Sequence, residues 1–139
     1  MPDAKRPAVC IVDDDRGIRE SLRFLFEDAG YAVEEAEDGA QALALLQLDA
    51  RPRVLLLDRM MPRLNGAQTL RRLGAAPAAV RRRTAVIFMT ARSDRPTPEV
   101  AALIRQHAYA TVAKPFDLDA LLATVEGACQ RLADRVGAR

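Results

Sequence analysis

The stretch RVLLLDRMMPRLNG, residues 53–66, joins a buried strand, a carboxylate and a turn. Val54 to Leu57 is an unbroken apolar run, which is typical of a strand in a parallel sheet covered by helices on both faces. The run ends at Asp58, and the pair Asn65-Gly66 then predicts a turn. Sites in such sheets form just beyond the carboxyl ends of the strands. Asp58 is therefore a candidate reactive residue, although a carboxylate here could equally cap the following turn.

Length and composition indicate one globular domain without an obvious nucleic-acid or membrane surface. The chain has 139 residues, of which 50% are hydrophobic, and a net charge of +2, which is too small to argue for either polyanionic partner. No apolar run approaches a membrane span and residues 1–7 lack a signal core, so we expect a cytoplasmic protein. Cys10 and Cys129 lack metal-ligand spacing and are predicted to be reduced thiols. The single histidine, His107, excludes a multi-histidine metal site.

Five predicted strands alternate with five predicted helices. The strands are predicted at 8–12, 31–36, 54–57, 84–89 and 109–113, and the helices at 16–29, 40–48, 66–73, 99–106 and 117–136. Asp15 is a suitable N-cap and Gly30 a suitable C′ residue for the first helix. The arginine run 81–83 is interpreted as solvated surface, with a binding patch as the alternative. This alternation implies an α/β domain built from parallel βαβ units with right-handed crossovers.

Polar residues stand directly behind four of the predicted strands. Asp13 and Asp14 follow the first strand, Asp58 the third, Thr90 the fourth and Lys114 the fifth. Because the carboxyl ends of parallel strands share one edge of the sheet, we expect these side chains to lie together. Each alone could be a loop, cap or surface residue. Three acids, a hydroxyl and an amine on one edge are difficult to obtain by chance.

This set of side chains suits phosphoryl transfer. Three close carboxylates repel one another, and Mg²⁺ relieves that repulsion because it accepts oxygen ligands and needs only one or two carboxylates. Lys114 adds a positive charge for a phosphoryl oxygen, and Thr90 adds a hydroxyl donor. Cation neutralisation and positioned donors are what a transferring phosphoryl group requires. Asp58 could then act as the nucleophile and form an aspartyl phosphate.

The chain resembles the receiver domain of two-component response regulators. The matching pieces are VDDD at 12–15, LLLDRMMPRLNG at 55–66, FMTAR at 88–92 and KPF at 114–116. Their order and spacing fit residues 8–132, so residues 1–139 are identified as a single receiver domain. The resemblance implies a five-stranded doubly wound parallel sheet of order 2-1-3-4-5 with five helices. It also implies that the protein is no enzyme beyond catalysing its own phosphorylation and dephosphorylation.

The resemblance also implies a metal site and a phosphoacceptor. Asp58 would accept phosphate from the phosphohistidine of a histidine kinase or a histidine phosphotransfer protein. Asp14 would bind Mg²⁺ directly and Asp13 would bind it through water. Asp58 and the backbone carbonyl of Met60 would complete the ligands that the protein supplies.

The phosphoryl contacts match the family, whereas one switch position departs from it. Thr90 and Lys114 would contact the phosphoryl oxygens, and the Lys114-Pro115 bond would be cis. Family members usually carry an aromatic residue three positions before the lysine, where this chain has Thr111. Tyr109 lies one strand period earlier, so we expect it on the same face as Thr111 and as an imperfect replacement. Because Thr90 and that aromatic move together in the family, the usual switch is in doubt, but phosphorylation is not.

The function implied is a phosphorylation-controlled switch or phosphorelay carrier in signal transduction. We expect a stand-alone receiver, because no DNA-binding or enzymatic segment follows in the sequence. Output would then be protein binding through the face made by the fourth predicted helix, the fifth strand and the fifth predicted helix. A homodimer is also left open. Phosphorylation would bias a two-state element at this face.

Three other classes compete with this interpretation. A dehalogenase-like hydrolase typically has a second aspartate two residues after the first, where Met60 stands. A flavodoxin-like cofactor binder would need a phosphate-cradling loop after the first strand, where three carboxylates stand instead. A degenerate receiver would be a phosphorylation-independent interaction module, and Thr111 keeps that alternative open.

Overall fold

The computed structural model describes residues 6–137, with five strands and six helices along that part of the chain. The strands are β1 (Ala8–Val12), β2 (Val33–Ala36), β3 (Arg53–Asp58), β4 (Thr84–Ala91) and β5 (Ala110–Lys114). The helices are α1 (Arg16–Asp28), α2 (Gly39–Leu48), α3 (Gly66–Gly74), α4 (Ala78–Arg82), α5 (Pro98–His107) and α6 (Leu118–Gly137). No helix in this range is long and apolar enough to cross a membrane.

The strands form one parallel sheet of order β2-β1-β3-β4-β5, as predicted. β3 lies in the middle, and all of its residues are buried. The continuous apolar run of residues 54–57 is thereby explained, because each of its side chains contacts a helix layer. The central position of β3 also places its last residue, Asp58, between the ends of β1 and β4.

Side chains alternate between two apolar clusters on the two faces of the sheet. One cluster joins α1 and α6 to Val9, Leu56 and Ile87 of the strands. The other joins α2, α3 and α5 to Leu55 and Phe88. Successive strand residues point to opposite faces, so neighbouring apolar residues enter different clusters. Two helix layers on a parallel sheet therefore hold the strand ends in fixed positions.

The short helix α4 corrects the prediction of five helices. It begins after Pro77, whose carbonyl accepts hydrogen bonds from the N–H groups of Val80 (3.0 Å) and Arg81 (3.2 Å). Five residues are too few to show a helical period, so the sequence indicates only the surface arginine run 81–83 in this segment. Several strand bounds also differ from the prediction: β2 begins at Val33, β3 extends over Arg53–Asp58, β4 continues to Ala91, and β5 is Ala110–Lys114.

Several local predictions are confirmed. The Asp15 side chain caps α1 by accepting hydrogen bonds from the N–H groups of residues 17 and 18, and Gly30 has a φ of 91°. The Lys114-Pro115 peptide bond is cis. Cys10 is buried, Cys129 is half-buried, and both are free thiols.

A buried ion pair stabilises the end of the sheet that lies away from Asp58, and no sequence pattern predicts it. Arg53 is 1% exposed, and its Nε and Nη2 donate to the carboxylate of Glu34 at 2.7 and 3.2 Å. Its Nη1 lies 3.0 Å from Oδ1 of Asp49. Glu34 stands on β2, so this pair spans β1. The charge of Arg53 is therefore neutralised inside the core.

Candidate functional site

Asp58 is the last residue of β3 and lies at the carboxyl edge of the sheet. Its backbone is in register with Met89 of β4, and only 7% of the residue is exposed. Gly66 lies against its backbone, and the Gly66 N–H donates to the Arg59 carbonyl at 3.0 Å. Asn65 then caps α3. The loop that follows Asp58 is thus held by the start of the next helix.

Lys114 connects the two buried carboxylates of the site. Its Nζ lies 2.9 Å from Oδ2 of Asp13 and 3.0 Å from Oδ1 of Asp58. The three residues come from β5, from the loop after β1 and from β3, and β4 separates β5 from β3 in the sheet. The expectation that residues behind different strands meet at one edge is confirmed for these three.

Asp14 completes a cluster of three carboxylates. One oxygen each from Asp13, Asp14 and Asp58 lies within 4.8 Å of the others. Asp13 is buried and Asp14 is exposed, so the cluster opens to solvent on one side. Asp13 is fixed by the Asp15 N–H, which donates to its Oδ1 at 2.9 Å, and by Arg19, which donates to its carbonyl at 2.7 Å. The carboxylate oxygens of the three acids therefore lie close together, and two hydrogen bonds hold Asp13 in place.

The electrostatics of the cluster are set by three acids and one ammonium group. Burial raises the pKa of Asp58; the hydrogen bond from Lys114 opposes this, and the nearby Asp13 and Asp14 raise it further. Burial acts to lower the pKa of Lys114, but its contacts with Asp13 and Asp58 outweigh burial and raise it. Lys114 offsets only one of the three negative charges. A hard dication that binds carboxylate oxygens fits the remaining charge.

A family model for the response regulator receiver domain matches residues 9–126. This chain belongs to the response regulator receiver family. Members of the family are phosphorylated, relay signals, interact with histidine kinases or phosphotransfer proteins, and bind Mg²⁺ at an acidic pocket. In this chain Asp13, Asp14 and Asp58 form an acidic cluster at the carboxyl edge of the sheet.

Individual relatives support this assignment. Response regulator MprA of Mycolicibacterium vanbaalenii is 39% identical over 130 residues, which cover 94% of this chain and 53% of that protein. MprA of Mycobacterium avium is 40% identical over 88% of this chain and 51% of its own length. A CheY-like receiver domain protein from Methanospirillum hungatei superposes with a TM-score of 0.75, at 27% identity, over 94% of this chain and 98% of that one. This receiver spans about half the length of the curated relatives that it matches.

Two further predicted site residues lie at the same edge of the receiver. Thr90 is half-buried near the end of β4, in register with Ala113. Within residues 6–137 its hydroxyl donates no hydrogen bond to another protein atom. Met60 is 70% exposed, so its side chain stands in solvent two residues beyond Asp58.

The expectation that Tyr109 shares a face with Thr111 is wrong. Tyr109 precedes β5, and its ring packs with Val112 in the cluster on the α1 and α6 side, above Gly127 of α6. Thr111 is exposed and in register with Phe88, which belongs to the opposite cluster. The two-residue period fails because Tyr109 is not part of the strand. Its ring is therefore directed toward α6 and away from Thr111.

Two ion pairs around the site had no recognisable sequence signal. Arg59, next to Asp58, lies 3.7 Å from Asp94, whose other contact is the Ala91 N–H at 2.8 Å. Arg63 donates through Nε to Asp38 at 2.6 Å. The partners are 25 or more residues apart, so no local spacing reveals them. Together they connect the loop after Asp58 to the loop after β4 and to the start of α2.

The carboxyl of Asp38 is expected to make the stability of the receiver depend on pH. The Gln41 N–H and the Arg63 guanidinium both bind its carboxylate and lower its pKa, although burial opposes them. A carboxyl with a lowered folded-state pKa stabilises the fold above its unfolded pKa of about 3.9, and this stabilisation is lost as pH falls through the folded value. We expect Asp38→Asn to lower the free energy of unfolding at neutral pH by up to about 1 kcal/mol. Between about pH 5 and pH 3, the free energy of unfolding of this variant should fall less than that of wild type.

Urea unfolding at several pH values measures this difference. Asp28→Asn removes an exposed carboxylate without a salt bridge in the described range and serves as the charge-matched control. An unchanged slope of stability against pH in Asp38→Asn would contradict the role of this carboxyl.

Proposed function

We propose that Asp58 accepts a phosphoryl group from a histidine kinase or histidine phosphotransfer protein. The modified receiver then relays the signal by altered protein binding or by onward phosphotransfer. The observation that carries this proposal is the Nζ of Lys114, which lies within 3.0 Å of both Asp13 and Asp58. A lysine shared by a buried acid and a strand-end acid supplies a charge at the point where a phosphoryl group would be attached.

The transfer is a displacement at phosphorus. A carboxylate oxygen of Asp58 forms the new oxygen–phosphorus bond, and the nitrogen–phosphorus bond of the phosphohistidine breaks with its electron pair returning to the imidazole. Lys114 already contacts Oδ1 of Asp58 and would offset negative charge on the phosphoryl oxygens. The Thr90 hydroxyl is proposed as a second donor to those oxygens. Lys114 also offsets part of the repulsion that the acidic cluster offers to an incoming phosphate.

A Mg²⁺ ion fits the donor set. Asp14 is proposed to bind it directly, Asp13 through water, and Asp58 and the Met60 carbonyl to complete the ligands. The close carboxylate oxygens of the three acids support this assignment. When bound, the ion neutralises charge on the transferring phosphoryl group. In its absence Lys114 is the one cation in salt-bridge contact with Asp13 and Asp58 within residues 6–137.

Output is proposed to pass through α5, β5 and α6, which correspond to the fourth helix, fifth strand and fifth helix of the sequence prediction. β5 is an edge strand, and Thr111 and Ala113 are exposed on it. A downstream protein is the proposed partner, and a homodimer would use the same face. We further propose a single receiver domain without enzymatic activity beyond its own phosphorylation and dephosphorylation. The alternative is a receiver that binds partners without phosphorylation, which the separation of Tyr109 from Thr111 favours.

Intact mass spectrometry with Mg²⁺ and acetyl phosphate tests the proposal. We expect one phosphoryl adduct on wild type, and none on Asp58→Asn or without Mg²⁺, because the nucleophile or the neutralising ion is then missing. Asp28→Asn, which removes an acid far from the site in sequence and not in the cluster, should be labelled as wild type. Absence of an adduct on wild type, together with no Mg²⁺-dependent binding of beryllofluoride, would favour the phosphorylation-independent alternative.

A further inference from the structure

A second pocket lies away from Asp58, near the amino-terminal end of β4. It has a volume of about 230 Å³. Its polar lining comes from four separate elements, the short helix α4, the start of β4 and the ends of α5 and α6: Arg81, Arg82, Thr84, Gln106, His107 and Arg135. We call this cavity the basic pocket. It shares no residue with the acidic cluster.

The three arginines of the basic pocket have no acidic partner in the described part of the chain. Arg81 donates through Nε to the carbonyl of Ala76 at 2.9 Å. Arg135 donates through Nη1 to the carbonyls of Arg81, Arg82 and Thr84, all at 3.4–3.5 Å. These acceptors are neutral, and the Arg135 contacts are long for hydrogen bonds. Three positive charges therefore meet here without compensation by a carboxylate.

Other arginines in the described range, such as Arg71 and Arg105, also form no salt bridge; the basic pocket differs because three such arginines line one cavity. Six arginines form salt bridges with aspartate or glutamate, namely Arg16, Arg19, Arg23, Arg53, Arg59 and Arg63. Burial is the main cause that lowers the pKa of Arg135, and the neighbouring Arg131 lowers it further. The charge of the basic pocket is thus concentrated and is available to an anion.

The walls of the basic pocket are held in place. The His107 ring packs against Gly74, where a Cβ atom would overlap the imidazole. The buried Thr84 donates its hydroxyl to the Val80 carbonyl at 2.8 Å, which ties α4 to β4. Arg135 joins α6 to both. These contacts hold the elements that carry the three arginines next to one another.

We propose that the basic pocket binds a small diphosphate group. Guanidinium groups match phosphate oxygens through paired N–H donors, and several around one cavity favour a ligand with more than one phosphate. The volume lies below the roughly 300–1,000 Å³ of pockets for drug-sized molecules, which selects a compact anion. His107 and Gln106 add further polar side chains to the wall. The site is separate from the phosphoacceptor and does not depend on it.

Calorimetric titration of the full chain with inorganic pyrophosphate, without Mg²⁺, tests this site. We expect saturable binding at one site that weakens about tenfold in Arg82→Gln and in Arg135→Gln, because each loses charged donors to phosphate. Binding should also weaken as salt rises from about 0.1 M to about 1 M. Arg16→Gln, an exposed arginine on α1, and Lys114→Gln, at the acidic cluster, should both bind as wild type. Arg82→Gln should still accept phosphate on Asp58.

Further measurements separate an effect on binding from an effect on folding, and they distinguish a lipid ligand from a soluble one. Arg82→Lys keeps the charge but loses the forked donors and should bind between wild type and Arg82→Gln. Thermal unfolding without ligand shows whether Arg135→Gln is folded. Binding to vesicles that carry a prenyl diphosphate, reversed by pyrophosphate, would identify a lipid diphosphate as the ligand. Binding of pyrophosphate without binding to these vesicles would identify a soluble diphosphate. Failure of wild type to bind pyrophosphate, or equal binding by Arg82→Gln, would overturn the proposal; the arginines would then only neutralise the carboxyl ends of helices.

Discussion

Replacement of Lys114 with glutamine is expected to slow acetyl phosphate labelling of Asp58 by about 100- to 1,000-fold. The Lys114 Nζ is 3.0 Å from Oδ1 of Asp58 and 2.9 Å from Oδ2 of Asp13. Glutamine keeps a hydrogen-bonding side chain but removes the positive charge that would offset the negative charge on the phosphoryl oxygens. The labelling rate at saturating Mg²⁺, followed by intact mass, measures the effect.

A second readout separates this electrostatic role from a general loss of structure. Without the ammonium group, the three carboxylates keep their full negative charge, so Lys114→Gln should bind Mg²⁺ more tightly than wild type. A collapsed site would bind it more weakly. Arg16→Gln removes a positive charge from an exposed pair on α1 and should change neither quantity. Labelling of Lys114→Gln at the wild-type rate would contradict the proposed role of the lysine.

Gly66→Ala is expected to lower the free energy of unfolding by about 2 kcal/mol and to slow labelling of Asp58. A Cβ at residue 66 would overlap the Asp58 carbonyl oxygen and would lie 2.9 Å from the Cα of Arg59. Both are backbone atoms, so no flexible side chain can move aside. The start of α3 and the strand end that carries Asp58 would have to separate. Urea unfolding and the labelling rate measure the two effects.

Gly17→Ala is the matched control for this substitution. A Cβ at residue 17 would meet only the Asp15 side chain, at 3.3 Å, and alanine favours the first turn of α1. Its stability should stay equal to that of wild type or increase, and its labelling should be unchanged. Wild-type stability of Gly66→Ala would show that the contact between Gly66 and the Asp58 backbone is not as close as described.

Much of the sheet could be predicted because its signals are local. Continuous apolar runs indicate strands covered on both faces, and one carboxyl edge then collects the residues that follow them. The sequence therefore predicts that Asp13, Asp58 and Lys114 lie together, and the structure confirms it. The strand order and the receiver assignment came from the resemblance of four motifs and not from periodicity.

The features that were missed depend on contacts between distant residues. The charge of Arg53 is tolerated in the core because Glu34 lies two strands away in the sheet, and no spacing reveals that pair. The direction of Tyr109 depends on the start of β5 at Ala110, one residue later than predicted. The basic pocket forms because Arg135 returns to a helix more than 50 residues earlier in the chain. Local patterns carry no information about such pairs.

The most direct test of the central claim is to locate the phosphoryl group on the chain. Labelled protein is treated with borohydride, which reduces an aspartyl phosphate to homoserine, and the digested peptides are sequenced by mass spectrometry. We predict homoserine at position 58 and at no other aspartate, because Asp58 is the last residue of the buried strand β3 and lies 3.0 Å from the Nζ of Lys114. Homoserine at position 13 or 14, or at none in labelled protein, would contradict the assignment of Asp58 as the phosphoacceptor.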